Sequence, residues 1–238
     1  MRQLAEALVY EGLVDCAVSW RAGKCRFEWR HDGAGIRCEG FFGAFGRVRI
    51  EAETLEHGFG GRWRAATLGD VLVSTGACPE KRAELGFELD RTLDFCAWNA
   101  GNLPPRPRRG LPYAQLDSAM DEGHPYHPCF KARTGFDHDD HAAYGPEAGN
   151  GFRLVWLAVA PERLHSAFPA DEQAFWTQEL SAETFAVLDA RRAGLGDHAR
   201  RFGLMPLHPW QWKALQGAEL SGWLAEGSAG FLGEAGDF

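Results

Sequence analysis

Between residues 25 and 51 the chain alternates so strictly that one local structure accounts for it. Cys25, Phe27 and Trp29 interleave with Arg26, Glu28 and Arg30, HDGAG intervenes, and Ile36 and Cys38 then interleave with Arg37 and Glu39. Successive side chains of a strand point to opposite faces, so the pattern predicts a half-buried β-hairpin. A third alternation, Val48 and Ile50 against Arg47, Arg49 and Glu51, follows a Gly- and Phe-rich bend and extends the expectation to an antiparallel meander.

At Pro79 the period changes. Leu85, Leu89, Leu93 and Cys96 recur at helical spacing, and a proline is tolerated in a first turn, so an amphipathic helix is expected from Pro79 to about Ala100. The prolines of PPRPRRG, 104 to 110, then forbid regular structure and mark a boundary between a region 1–103 and a region 111–238. Arg106, Arg108 and Arg109 in that stretch read as a solvated linker or as an arm that reaches an anionic ligand. Beyond it, YAQLDSAMDEG predicts a short helix, HDDHAAYGPEAGNG a polar loop or helical turn, and GFRLVWLAVAP a buried strand. Residues 172–194 are helical in period, and FGLMPLHPWQW enters as a strand that breaks at Pro209. Antiparallel β-sheet with segregated helices places the chain in the α+β class.

A chain of 238 residues, 45% hydrophobic, can bury a substantial core in one large domain or two small ones. Its formal charge of -8 argues against a surface that grips nucleic acid through many phosphate contacts. The six cysteines, Cys16, Cys25, Cys38, Cys78, Cys96 and Cys129, are scattered without a CxxC pair and read as reduced thiols, several of them in the core. Glu6 and Glu11 interrupt the N-terminal segment where a signal peptide needs an apolar run, and LVWLAVA at 154–160 is far short of a membrane span. The expectation is a cytoplasmic chain with neither nucleic-acid nor membrane partner.

The most unusual local sequence is GHPYHPCFKARTGF, 123–136. Proline pushes the residue before it out of the helical region, so His124 and His127 are expected in extended or polyproline geometry, where a three-residue spacing points both imidazoles the same way. Lys131 and Arg133 share a face if the chain stays extended. Two imidazoles, an ammonium and a planar guanidinium along one edge suit a phosphate or carboxylate, with Thr134 and Gly135 adding a hydroxyl and an approachable backbone. Two other readings stand beside this one. The prolines make a structural turn whose cations pair with Glu122, Asp137, Asp139 and Asp140; or HPYH and HDDH, with Cys129 between them, hold a transition metal. Against the metal stand the missing HExxH and CxxC forms and two cations that repel a divalent ion. A third His-Pro pair, in LMPLHPWQWK, sets His208 and Gln211 either at a pocket wall or in the core. No nucleophile elbow, Walker A loop or GxGxxG after a strand occurs.

EGHPYHPCFKARTGF, then DHDDHAAYGPEAG, the LVWLAVAP run, LMPLHPWQW and FLGEAGDF resemble, in that order, the NRPS-independent siderophore (NIS) synthetases, the aerobactin synthetase (IucA/IucC) family, from about residue 114 to the C-terminus. Residues 1–110 match only as a variable N-terminal region. The resemblance implies an ATP-dependent ligase that uses Mg2+. Such an enzyme adenylates a carboxylic acid of the citrate kind and condenses it with an amine or alcohol in siderophore biosynthesis, releasing AMP. It implies that His124, His127, Lys131, Arg133 and Thr134 belong to the nucleotide site, with Arg133, Lys131 and His127 catalytic, His208 and Gln211 secondary, and no bound structural metal. Family members continue beyond the LGEAGD-like stretch, so the expected fold is incomplete relative to the full synthetase. The chain is then an N-terminal portion: a truncated product without its C-terminal half, a split subunit that needs a partner subunit, or one domain of a longer protein; a homo-oligomer is a separate partner expectation. The alternatives are a catalytically incomplete nucleotide- or anion-binding module or split subunit, and a histidine-rich metal-binding protein.

Overall fold

The computed structural model describes every residue except Ala22, Arg106, Arg108, Asp121, Glu122, Pro125, residues 166–171 and Phe238. The chain forms two compact units, Met1–Gly135 and Phe136–Phe238, each with helices packed on an antiparallel sheet, an α+β fold.

The first unit opens with helix α1 (Arg2–Tyr10), which buries Leu4, Ala5 and Leu8. Its sheet runs β1 (Ala17–Arg21), β2 (Lys24–His31), β3 (Ala34–Phe42), β5 (Glu56–Phe59) and β6 (Arg62–Ala65), with β4 (Val48–Ile50) also on β3. The hairpin forms as its alternation predicts: Cys25, Phe27 and Trp29 of β2 and Ile36 and Cys38 of β3 enter one core with Val48 and Ile50 of β4. The meander is more branched than expected. β3 is long enough for β5 to pair with its first half (Ala34–Arg37) and β4 with its end (Gly40–Phe42). The approach of β4 is so close that a Cβ at Gly40 would lie 2.0 Å from the Arg49 carbonyl oxygen.

Helix α2 (Leu68–Val73) starts at a reciprocal cap between Thr67 and Asp70. Behind it, the Trp29 indole N–H donates to Ser74 Oγ at 3.0 Å, and that hydroxyl donates to the Val71 carbonyl at 2.7 Å, so the one polar atom of a buried ring is satisfied. Helix α3 (Pro79–Asn102) has Pro79 in its first turn as expected, but its buried stripe is Leu89, Thr92, Phe95 and Asn99. Leu93, expected on that stripe, is 59% exposed, because the helix packs on the face one residue away.

The boundary between the units falls after Gly135, beyond the proline–arginine segment. Cys129 and Ala132 pack into the first core together with Leu4 and Leu89, which ties the chain to the first unit past residue 111. The linker-or-arm reading of 104–110 rests on Arg106 and Arg108, outside the described residues. The expected short helix after it is two single 3-10 turns, Tyr113–Gln115 and Asp117–Ala119.

In the second unit, helix α4 (His138–Tyr144) precedes β7 (Arg153–Val159), which lies between β8 (Gly203–Leu207) and β9 (Ala229–Asp237). A central strand covered on both faces explains why LVWLAVA is apolar without alternation. Trp156, Ala158 and Ala160 face one core with Trp176, Leu188 and Phe202. Val155, Leu157 and Val159 face the other with Leu207 and Leu220. Pro206 is accommodated because β8 is an edge strand. The helical stretch 172–194 divides into α5 (Glu172–Glu179) and α6 (Ala182–Gly194) where Ser181 Oγ caps the second helix by accepting the Thr184 N–H at 3.1 Å. Helices α7 (Pro209–Leu215) and α8 (Ala218–Glu226) complete the unit. Among the described residues no helix is long and apolar enough to cross a membrane.

Candidate functional site

The described residues between 124 and 135 run through turns and are pinned at two places. His127 N–H donates to the His124 carbonyl at 3.4 Å and Ala132 N–H to the Cys129 carbonyl at 3.1 Å. The extended edge expected for this stretch is therefore replaced by a chain that folds back on itself. Pro125, central to the polyproline reading, lies outside the described residues.

Tyr126 is the first pin. Its hydroxyl accepts a 2.7 Å hydrogen bond from Arg49 Nη2. The guanidinium carbons of Arg47 and Arg49 each lie 4.5 Å from its ring centre, and Arg47 also stacks at 3.9 Å on Tyr10. Glu6 steadies this group: one carboxylate oxygen accepts the Ile50 N–H at 2.9 Å, and the other lies 3.7 Å from Arg49 Nη1. The tyrosine of the motif is thus an anchor onto β4, and it leaves the flanking His124 and His127 exposed.

Arg91 of α3 is the second pin. Its Nε donates to the Ala132 carbonyl at 2.7 Å and its Nη2 to the Arg133 carbonyl at 2.9 Å. Arg133 has φ of 40°, a left-handed backbone that costs a non-glycine residue about 1–2 kcal/mol, and Gly135 follows at φ of 97°. Two charge-assisted bonds from Arg91 offset that cost and hold Arg133 in place.

The four predicted cation-site residues therefore differ in situation. His124 and His127 are exposed, Arg133 is half-buried beside exposed Thr134, and Lys131 is 2% exposed. Lys131 and Arg133 do not share an edge, because the turn and the positive φ between them rotate one inward. Cys129 beneath them is a core thiol, pushed up to about 11 by burial and then by the neighbouring Glu88. Pro128 and Phe130 line a cleft of about 260 Å3 with Leu4, Leu89, Thr92 and Leu93.

In the second unit His208 caps α7: its Nδ1 accepts the Trp210 N–H at 3.1 Å, and its own N–H donates to Gln211 Oε1 at 3.1 Å. The imidazole sits in an aromatic enclosure, 4.6 Å from Phe152, 4.7 Å from Tyr144 and 6.4 Å from Phe136 between ring centres. Burial lowers its pKa below 6.5, against a smaller opposing pull from Asp140. Gln211 is committed through its carbonyl oxygen to the cap.

HDDH is the first turn of α4, capped by Asp137, whose Oδ1 accepts the Asp140 N–H at 2.7 Å. Asp137 and Asp140 lie 3.7 and 3.6 Å from Lys213 Nζ, so Lys213 is a partner for these acids that the sequence reading missed; Glu122 lies outside the described residues. Among the described residues no three His, Cys, Asp or Glu side chains converge as a metal site would require. The sequence reading also missed Arg91, Tyr126 with its two arginines, and the rings around His208. Only Tyr126 carried a signal, as the one aromatic inside the double His-Pro motif.

Comparison with known proteins follows the same residues. Residues 112–238, more than half of the chain, match the IucA / IucC family. The chain is 34% identical over 154 residues to a putrebactin synthase of Shewanella sp. (strain MR-4), an alignment covering 63% of this chain and 24% of that protein. It is 24% identical over 229 residues to a citryl-spermidine/3,4-dihydroxybenzoyl-citryl-spermidine:spermidine ligase of Bacillus anthracis, 90% of this chain and 37% of that one. The crystal structure of the petrobactin biosynthesis protein AsbB from Bacillus anthracis str. Sterne superposes with a TM-score of 0.78 at 23% identity, over 99% of this chain and 41% of the other, which shows a common fold. The chain thus spans well under half the length of these proteins.

Proposed function

The chain belongs to the IucA / IucC family, and on that premise we propose that it supplies nucleotide-binding residues of a siderophore synthetase, an ATP-dependent ligase that joins a citrate-like acid to an amine or alcohol. The observation that carries this reading is the pinned segment 124–135. Two exposed imidazoles and a half-buried guanidinium whose backbone Arg91 clamps at positive φ put donor and cationic groups on one short pinned segment, the residue types a polyphosphate needs.

In the proposed reaction a carboxylate oxygen of the acid attacks the α-phosphorus of ATP. The bond from that phosphorus to the bridging oxygen of the β-phosphate breaks, and pyrophosphate leaves. The amine nitrogen then attacks the acyl carbon, the carbon–oxygen bond to the adenylate breaks, AMP departs and the nitrogen loses a proton. Negative charge gathers on the α-phosphate in the first step, and preorganised donors aimed there lower its barrier. Arg133 is the direct electrostatic contact, His127 and His124 donate to phosphate oxygens, Thr134 adds a hydroxyl, and Lys131 places its ammonium beneath the surface. Mg2+ fits as a companion of the triphosphate, since that ion is commonly held by substrate phosphates with one or two carboxylates and not by a protein cage. The citryl-spermidine chemistry named for one relative supports citrate and a polyamine as the first substrates to try.

A second reading keeps the binding and drops the turnover: a nucleotide-binding module that needs another polypeptide. The chain's coverage of 41% of the superposed structure favours weighing it. Calorimetry with ATP and Mg2+, followed by pyrophosphate release with citrate and spermidine, separates the two. Binding weakened by Arg133→Ala, with or without turnover, supports the nucleotide site; binding indifferent to that substitution overturns it.

A further inference from the structure

The histidines of the three His-Pro pairs share one hydrogen bond. In each, the imidazole Nδ1 accepts the backbone N–H of the residue after the proline: His124 from Tyr126 at 3.3 Å, His127 from Cys129 at 3.2 Å, His208 from Trp210 at 3.1 Å. The reason lies in the dipeptide. Proline has no N–H and a fixed φ, and it holds the preceding residue extended, as His208 is at φ -60° and ψ 141°. The first free N–H is then two residues on, within reach of a folded-back imidazole, in the manner of an Asx turn.

A nitrogen that accepts a hydrogen bond cannot carry the proton. We infer that His124, His127 and His208 are each locked as the neutral Nε2–H tautomer, and that His124 and His127 act on an anionic ligand as fixed neutral donors through Nε2, not as cations or as bases. Protonating Nδ1 sets a donor against a donor and breaks the turn. The lock therefore excludes Nε2 as a proton acceptor while it stands. For His208, the remaining Nε2–H is the one polar edge of a ring walled by Phe136, Tyr144 and Phe152.

The tautomer claim stands on the free protein; the identity of the anion as a nucleotide phosphate rests on the function proposed above. Long-range proton–nitrogen NMR on the full chain at neutral pH, with assignments from single His→Asn variants, reads the first part. The expected result is an unprotonated Nδ1 and a protonated Nε2 at all three positions. An Nδ1–H tautomer, an imidazolium or averaging between tautomers at His124 or His127 overturns the inference, whatever ATP does. The second part uses paired substitutions. Asparagine places an acceptor where Nδ1 was and removes the Nε2 donor; glutamine reaches the Nε2 position with an N–H and loses the turn acceptor. His124→Asn and His127→Asn are expected to keep thermal stability and to weaken binding of ATP by roughly tenfold or more, the worth of a hydrogen bond to a charged oxygen. The glutamine variants are expected to lose stability and to bind ATP better than their asparagine counterparts. Unchanged ATP affinity in both asparagine variants, with the Nε2–H tautomer observed in the parent, leaves the lock intact and strikes the nucleotide reading instead.

Discussion

Arg91 Nη2 lies 2.9 Å from the carbonyl oxygen of Arg133, so an arginine on a long helix holds the backbone of another arginine in the left-handed region. The strain and the clamp form one arrangement, and substitution separates them. At most positions glycine is less stable than alanine by about 0.5–1 kcal/mol, because it has more freedom to lose. At residue 133 the order should reverse: Arg133→Gly is expected to be more stable than Arg133→Ala by about 1 kcal/mol, since only the latter keeps a Cβ at positive φ. Both lose the guanidinium, so both should bind ATP more weakly than the parent. Urea midpoints for the pair check the first statement, and alanine equal to or above glycine refutes it.

Removing the clamp itself acts from the other side. Arg91→Ala deletes two charge-assisted bonds to carbonyls and should destabilise the first unit by about 2–3 kcal/mol. Arg91→Lys retains a point charge without the fork and should recover only part of that loss. Denaturation curves for the two variants, together with ATP affinity, report whether segment 132–133 depends on this helix.

Tyr126 makes a finer distinction between anchoring and contact with ligand. Tyr126→Phe keeps the ring between Arg47 and Arg49 and loses only the hydroxyl's 2.7 Å bond from Arg49, an expected cost of about 1 kcal/mol. Tyr126→Ala also loses both guanidinium–ring contacts, each worth about 0.5–1 kcal/mol. A graded series in stability, parent above phenylalanine above alanine, is the outcome expected from an anchor; equal stability of all three contradicts it.

How much of this was legible beforehand follows from the range of the interactions. The hairpin of β2 and β3 was readable because its information is local, one residue in two. The end of β8 was readable from His208-Pro209 for the same reason, although the helix that follows was not expected. The buried face of α3 was not, because Leu89, Thr92, Phe95 and Asn99 are selected by what packs on them, and Leu93 is as apolar as Leu89. At the candidate site the residue types were visible and their placement was not. Lys131 and Arg133 are two apart in sequence, yet a turn and a positive φ, set by Arg91 some forty positions earlier, turn one inward. No periodicity encodes a contact of that span.

The cysteines offer a chemical check on the core. Burial, before any other cause, pushes the Cys38 thiol up to about 12, and burial with Glu88 pushes Cys129 up to about 11, whereas Cys78 is exposed at the start of α3. Because the thiolate is the reacting form, brief treatment with iodoacetamide at pH 8 should label Cys78 and spare Cys38 and Cys129 until the protein is unfolded. Peptide mass spectrometry reads the sites, and labelling of Cys129 in the native chain contradicts its placement in the core.

His208 should make the second unit sensitive to acid. Its pKa is held below 6.5 chiefly by burial among Phe136, Tyr144 and Phe152, so over the interval between the folded and unfolded pKa values the unfolded chain binds a proton that the folded chain refuses. Stability therefore rises with pH across that interval; the contribution is fully present above about pH 6.5 and is lost as pH falls through it. His208→Asn keeps a side-chain acceptor for the Trp210 N–H and carries no titrating group. The parent should lose stability relative to this variant when urea unfolding, followed by tryptophan fluorescence, is repeated from pH 7.5 down to pH 5. A difference between the two that stays constant over that range shows that the ring is not held neutral by its enclosure.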